Sequence, residues 1–505
     1  MTKESPASHG KVLVLYTGGT IGSRPRDKED PGSPQFVVPW KELEAGTPEL
    51  AKLKERGFQV DAVSSEKPLD SCNIGPKEWT QFAKIISDRY DDYEGFVILH
   101  GTDTMVYTAS ALSFMLRGLR KPVILTGAQR SALVDVRNDA SQNFLTALLL
   151  ANPRYSGIPT VPEVSIYFGG KLLRGNRTIK LDTTGYEAYV APNVPPLGEI
   201  GDQMSLHKER INWPKDNERF RVRLRLEERI LPLFIYPGIT PEVVEAQIQA
   251  TQPKAVIVQA FGSGNIPNLD PKFVEVFRKA RQEQNILIAV VSQCTRGPVE
   301  LGIYETSAEL LEAGFVCAND ITLEAAQCKL MALLGDPDIS LEVAEEDFQR
   351  SLAGELSLST YVTKYSGKPD SLSAKAPAAS PGKVRFPAQQ LAGIWDASNL
   401  AQALLRFRRA RVKIGDGNDL NEHAEYEIYL NVDPDEKLTP VHPNFAGRFK
   451  KYSMEQESLV LFDITEAIRP FARPGERISF TLQCNDLRAE FTWQSVELAV
   501  LIQEI

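Results

Sequence analysis

The chain has 505 residues, 42 % of them apolar and 24 % charged, a composition that excludes a disordered tail and, at roughly 150 residues per domain, gives material for about three domains. Lys and Arg number 57 against 66 Asp and Glu, a formal net charge of −9, so long-range repulsion opposes nucleic acid and anionic membranes as partners. No apolar stretch nears the ~20 residues that span a bilayer. The opening MTKESPASHG has no apolar signal core, and Cys72, Cys294, Cys317, Cys328 and Cys484 are few and scattered, which fits reduced thiols and a cytoplasmic location.

Up to Ser357 the chain alternates short apolar runs with segments of helical spacing. Strands are predicted at Val12–Tyr16, Phe96–Leu99, Pro122–Leu125, Val164–Phe168, Leu233–Tyr236, Ala255–Val258 and Ile286–Val291. Helices are predicted at Pro76–Asp88, Tyr107–Leu116, Asp139–Leu150, Pro241–Thr251, Pro271–Gln284 and Thr322–Leu334. Strands that are apolar throughout need cover on both faces, which intervening helices supply, so the pattern predicts parallel α/β sheets. The charged stretch Leu206–Arg225 interrupts the alternation and divides it into two lobes, 1–205 and 226–357. Residues 358–383 carry Pro, Ala, Ser and Gly with little bulky apolar surface, the composition of a linker. Beyond it, Tyr426–Val432, Ser458–Phe462, Ile478–Gln483 and Glu490–Leu501 are short, aromatic or β-branched and separated by turn residues. They predict a β-sandwich over 384–505. The basic cluster Arg406–Lys413 reads as the solvated face of an edge strand.

Two segments carry candidate chemistry. In KVLVLYTGGTIGS (Lys11–Ser23) an apolar strand runs into Gly18-Gly19-Thr20, and the loop lacks both the Gly-Lys-Ser/Thr ending and the G-x-G-x-x-G spacing of phosphate-binding loops. In GFVILHGTDTMVYT (Gly95–Thr108) a second strand ends at Thr102-Asp103-Thr104 before a helix. A hydroxyl there serves equally as a helix cap. Two such loops at the C-terminal ends of separate parallel strands would nevertheless converge on one crevice, where open α/β sheets bind ligands. His9, His100, His207, His423 and His442 are dispersed and no C-x-x-C occurs, so no metal is expected.

Together with Asp70-Ser71, KPVILTGAQ and RGNRTIK, these segments resemble the asparaginase/glutaminase family, most closely the bacterial cytoplasmic type I enzymes, over residues 10–357. The resemblance implies two parallel-sheet α/β lobes, no cofactor, and a homodimer or homotetramer acting on a small amino-acid amide. It implies hydrolysis of L-asparagine to L-aspartate and ammonia, with glutamine or an amide-bearing RNA-linked glutamate as alternative substrates and a non-catalytic amino-acid-binding protein as a further alternative. Amide hydrolysis needs a nucleophile, a proton carrier and oxyanion donors. By resemblance, Thr20 is the nucleophile that forms the acyl-enzyme, and Thr102, Asp103 and Lys180 form the proton-carrying group. Gly19, Asp70, Ser71, Thr102, Asp103, Ala128 and Gln129 bind the substrate. No metal ligand is implied.

Two features depart from the family pattern. Its members carry a Tyr on the loop after the first motif, whereas Arg24–Trp40 here contains none and Phe36 takes that place. The polar contacts that bind a second asparagine in some type I enzymes fall on Ile179, Gln259 and Cys294, which implies an absent or altered regulatory site. The tail segments EYEIYLNVDPDE, HPNFAGRF and FDITEAI resemble the C-terminal β-domain of polyphenol oxidases, without the copper-ligand histidines.

Overall fold

A computed structural model describes residues 10–504 except 28–32, 135, 302–304, 366–370, 374–381, 394–395, 415–422, 434–435, 453–457, 474, 485 and 487. The described chain forms two compact units, one of residues 1–230, 321–340 and 352–355, the other of 231–320, 341–351 and 356–505.

The first unit is built on an eight-stranded sheet in the order Met204–Leu206, Gly198–Ile200, Lys171–Arg174, Val164–Phe168, Val123–Thr126, Gly95–Leu99, Lys11–Gly18, Gln59–Leu69. The last five are mutually parallel, and the first three add antiparallel. Val12–Leu15, Phe96–Leu99 and Val123–Leu125 are buried, as the continuous apolar runs require. The helices Pro76–Asp88, Met105–Met115 and Ala140–Ala151 stand close to their expected bounds. Gln59–Leu69 was not expected as a strand. Its sequence, QVDAVSSEKPL, has no apolar run because it is the sheet's edge, where Gln59, Asp61 and Ser64 face solvent.

In the second unit a four-stranded sheet, Ile230–Phe234, Ala255–Ala260, Leu287–Ser292 and Phe315–Cys317, is flanked by Pro241–Thr251 and Pro271–Gln284. It also holds two all-β sheets. One runs Leu358–Tyr365, Ser495–Gln503, Leu400–Ile414, Ala489–Thr492, Ser371–Ser373, with Ser458–Asp463 also on Leu400–Ile414; the other runs Lys383–Gln390, Arg477–Cys484, His423–Leu430, Phe445–Tyr452. Phe386, Tyr426 and Phe480 from the second sheet and Phe407, Phe491 and Leu498 from the first share one apolar core, the sandwich expected from the spacing of short strands.

Two tail expectations differ from what is observed. Of the linker expected at 358–383, Leu358–Tyr365 pairs along its whole length with Val496–Gln503, and Ser371–Ser373 pairs with Glu490–Thr492; residues 366–370 and 374–381 lie outside the described residues. Arg406–Lys413 does not lie on an edge. Its strand is paired on both sides, Phe407, Ala410 and Val412 are buried, and Arg408 donates to Glu497 at 2.9 Å and to the Leu311 carbonyl at 2.9 Å, while Arg409, Arg411 and Lys413 are exposed, as a solvated face requires.

Candidate active site

Four neighbouring parallel strands, Gln59–Leu69, Lys11–Gly18, Gly95–Leu99 and Val123–Thr126, end at the same edge of their sheet. The loops that leave them carry Asp70-Ser71, Gly19-Thr20, Thr102-Asp103 and Ala128-Gln129. Backbone contact holds them together. Gly19 has φ +86°, and a Cβ there would lie 2.6 Å from the Cα and N of Gly101; a Cβ on Gly101 would lie 2.7 Å from Ser71 Oγ. Three loops thus interlock at positions where no side chain fits.

Hydrogen bonds fix the remainder. Ser71 is buried, its hydroxyl accepting from Asp103 N at 3.2 Å and its carbonyl from Thr104 Oγ1 at 2.6 Å. Thr104 therefore does not cap the helix that it precedes but ties two loops. Asp70 is exposed, one carboxylate oxygen accepting from Cys72 N at 3.3 Å. The short hairpin of Ile179–Lys180 and Tyr189–Val190 delivers Lys180, whose Nζ donates to Thr102 Oγ1 at 2.9 Å and to Asp103 Oδ1 at 2.7 Å. The Lys180 side chain is 16 % exposed and that of Asp103 66 %, so a sheltered nitrogen meets a carboxyl group that is open to an incoming ligand. Thr20 is exposed at the start of the turn Thr20–Gly22; its carbonyl accepts from Ser23 Oγ at 3.0 Å.

On the fourth loop, Ala128 is buried and Gln129 Nε2 donates to the Gly185 carbonyl at 3.2 Å. Residues 129 and 130 are held by Asp139, which accepts from Gln129 N at 3.0 Å, from Arg130 N at 3.0 Å and from Asn143 Nδ2 at 3.2 Å. Sequence reasoning missed Asp139, since an Asp before a helix reads as a cap; here it makes no capping bond. His100 is another missed residue. Thr108 Oγ1 accepts from Trp79 Nε1 at 2.9 Å and lies 2.9 Å from His100 Nε2, while Nδ1 lies 2.7 Å from the Gly101 carbonyl. That pattern assigns the proton to Nδ1, which donates to Gly101, and Thr108 as donor to Nε2. Complete burial pushes its pKa down to about 4.

Phe36 lies on Gln35–Val37, paired with Ser23–Pro25, its ring 5.1 Å from the Arg24 guanidinium and packed on the first unit's core. Residues 28–32 of the same loop lie outside the described residues. Ile179 is in the first unit, Gln259 and Cys294 in the second. Among the described residues no group of three His, Cys, Asp or Glu could hold a metal ion, and no helix is long and apolar enough to cross a membrane.

Residues 11–212 match the family described as asparaginase, N-terminal, and residues 229–346 that of the glutaminase/asparaginase C-terminal domain. L-asparaginase 1 of Escherichia coli K12 is 37 % identical over 350 residues, covering 68 % of this chain and 97 % of the relative. The chain belongs to the asparaginase family. Further similarity reaches the 60 kDa lysophospholipase of Mus musculus, 34 % identical over 69 % of this chain and 63 % of that protein. Among solved asparaginases, L-asparaginase I of Vibrio cholerae is 34 % identical with a TM-score of 0.60, over 69 % of this chain and 99 % of that one. Asparaginase relatives are hydrolases acting on amides, and the type I likeness expected from the motifs is found. The all-β sheets beyond Leu358 lie outside both family matches.

Proposed function

We propose that the chain hydrolyses the side-chain amide of L-asparagine, giving L-aspartate and ammonia. The arrangement of Lys180 Nζ on both Thr102 Oγ1 and Asp103 Oδ1 carries this reading, because it joins a proton carrier to a hydroxyl and a carboxylate at the end of the loop that touches Gly19. Thr20 attacks the amide carbon with its exposed hydroxyl, and the resulting tetrahedral oxyanion collapses to an ester as the amide nitrogen takes up the proton that the Thr20 hydroxyl gives up and leaves as ammonia. Water then attacks the ester carbon as Thr102 takes its proton and passes its own to the Lys180 amine; the tetrahedral intermediate collapses to aspartate, and the Thr20 oxygen leaves with that proton returned from Lys180, restoring the Thr20 hydroxyl and the amine. Asp70 and Asp103, both exposed carboxylates, suit the α-ammonium of the substrate, and Ser71, Ala128 and Gln129 frame its remaining polar groups.

The active form is proposed to be a homodimer or homotetramer in the cytoplasm, needing no cofactor. Ammonia release from purified protein against asparagine, glutamine, other amides and esters tests the reading. Ammonia from asparagine well above that from glutamine is expected; release from none of the amides, with or without ester cleavage, would overturn it.

A further inference from the structure

Tyr189 closes a ring of contacts around the proton carrier. It stands opposite Lys180 in the two-stranded hairpin, and its phenol donates to the backbone carbonyl of Thr102, whose hydroxyl accepts from Lys180 Nζ at 2.9 Å. The path therefore runs from the Lys180 backbone across the hairpin to Tyr189, on to Thr102, and back through the Lys180 side chain. Two-residue strands have little rigidity of their own. Tyr189 supplies it: the residue is 4 % exposed and its ring meets Phe168 edge to face at 4.9 Å. Burial, reinforced by the Asp103 charge, holds the phenol far above its ordinary range of titration, so it acts as a donor and not as a source of protons.

We propose that Tyr189 is a positioning residue that sets the reach of the Lys180 amine to Thr102 and Asp103 by anchoring its hairpin to the Thr102 carbonyl, an inference that rests on the hydrolytic reading above. The geometry separates this role from plain packing, since the phenol oxygen alone makes the link while the ring alone meets Phe168. Tyr189→Phe keeps the ring and removes the link.

The test is a double-mutant cycle with Lys180→Met, read as ammonia release from asparagine with each variant's thermal midpoint as the folding control. Tyr189→Phe is expected to lower kcat about tenfold and leave KM within about twofold. In the Lys180→Met background the same change is expected to add nothing, because there is no amine left to position. An unchanged kcat in Tyr189→Phe, or an equal fold loss in both backgrounds, overturns the positioning role and leaves the hydrolytic reading standing. A wild-type chain that releases no ammonia overturns that reading and this inference with it. If Tyr189→Phe does not fold, the cycle is run with Tyr189→Met, which also lacks a donor and adapts to the space left by the ring, and is expected to show the same dependence on Lys180; an equal fold loss in both backgrounds overturns the role.

Discussion

Lys180 meets two oxygens of different character, a neutral hydroxyl at 2.9 Å and a carboxylate at 2.7 Å, so its removal takes away a proton path more than a binding contact. Lys180→Met is expected to lower kcat by about a thousandfold, the range of positioned acid–base groups, with a smaller change in KM. Thr20→Ala and Thr102→Ala should each cost orders of magnitude in ammonia release while leaving the circular dichroism spectrum unchanged; near-normal turnover in either would remove that residue from the chemistry. His100 gives a pH dependence at the same loop. Its folded pKa, about 4, lies below the ordinary 6.5 because it is wholly buried, so between those values the unfolded chain binds more protons. The stability is fully present above pH 6.5 and falls as pH drops toward 4, by about 3 kcal/mol. Urea midpoints at pH 7 and pH 4.5 should show the loss, and His100→Gln should reduce the difference. Thr20, Thr102, Asp103, Ala128 and Gln129 were legible because each follows an apolar strand, whereas Asp70, Ser71 and Lys180 were legible only through the family resemblance of the motifs that hold them. His100 escaped notice since its partner Thr108, which also accepts from Trp79, is brought to it by helix packing that no local pattern announces.

Loop placement at the site depends on elements that read as ordinary helix and strand. Asp139 precedes the helix Ala140–Ala151, yet its carboxylate accepts from the backbone of residues 129 and 130, which fixes the peptide that joins Ala128 to Gln129 in the loop proposed to bind substrate. Asp139→Ala removes the acceptor from the amide of half-buried Gln129 and from that of exposed Arg130, and from Asn143 Nδ2, at about 1–3 kcal/mol for a buried group and less for an exposed one. The expected result is a fall in stability of about 2–4 kcal/mol and a KM raised about tenfold, measured by denaturant titration and initial rates. A KM unchanged in a folded variant would show that the Ala128 turn holds itself. The parallel strands were visible in the sequence as continuous apolar runs. Gln59–Leu69 was not, because an edge strand alternates polar and apolar residues and this one contains Glu66, Lys67 and Pro68; without it Asp70 and Ser71 have no evident place at the site.

At the scale of the whole molecule, the second unit joins an α/β lobe to the all-β sheets through shared core and hydrogen bonds. Leu459 from Ser458–Asp463 belongs to the core built by Val256, Phe277, Ile288 and Phe315, with Leu461 packed against it. Arg408 donates to the Leu311 carbonyl, and Arg409 N donates to Glu312 at 3.3 Å. Composition marked a linker after residue 357 and a change of texture beyond it, but neither composition nor periodicity records which distant apolar residues complete a core. A separable tail would be indifferent to truncation. Ending the chain at Ser357 keeps every proposed catalytic residue, all of which lie in the first unit, and removes Leu459 and Leu461 from the second lobe. Loss of a buried Leu costs about 2–5 kcal/mol, so the truncated chain is expected to show an added, lower-temperature transition and dye binding by exposed apolar surface, with the first unit's transition retained. Leu459→Ala in the full chain should destabilise it by about 2–4 kcal/mol, which isolates the core contact from the rest of the deletion. If the truncated chain melts in one transition at the full-length temperature and Leu459→Ala is neutral, the β-sheets are an appended module and contribute nothing to the lobe beside them.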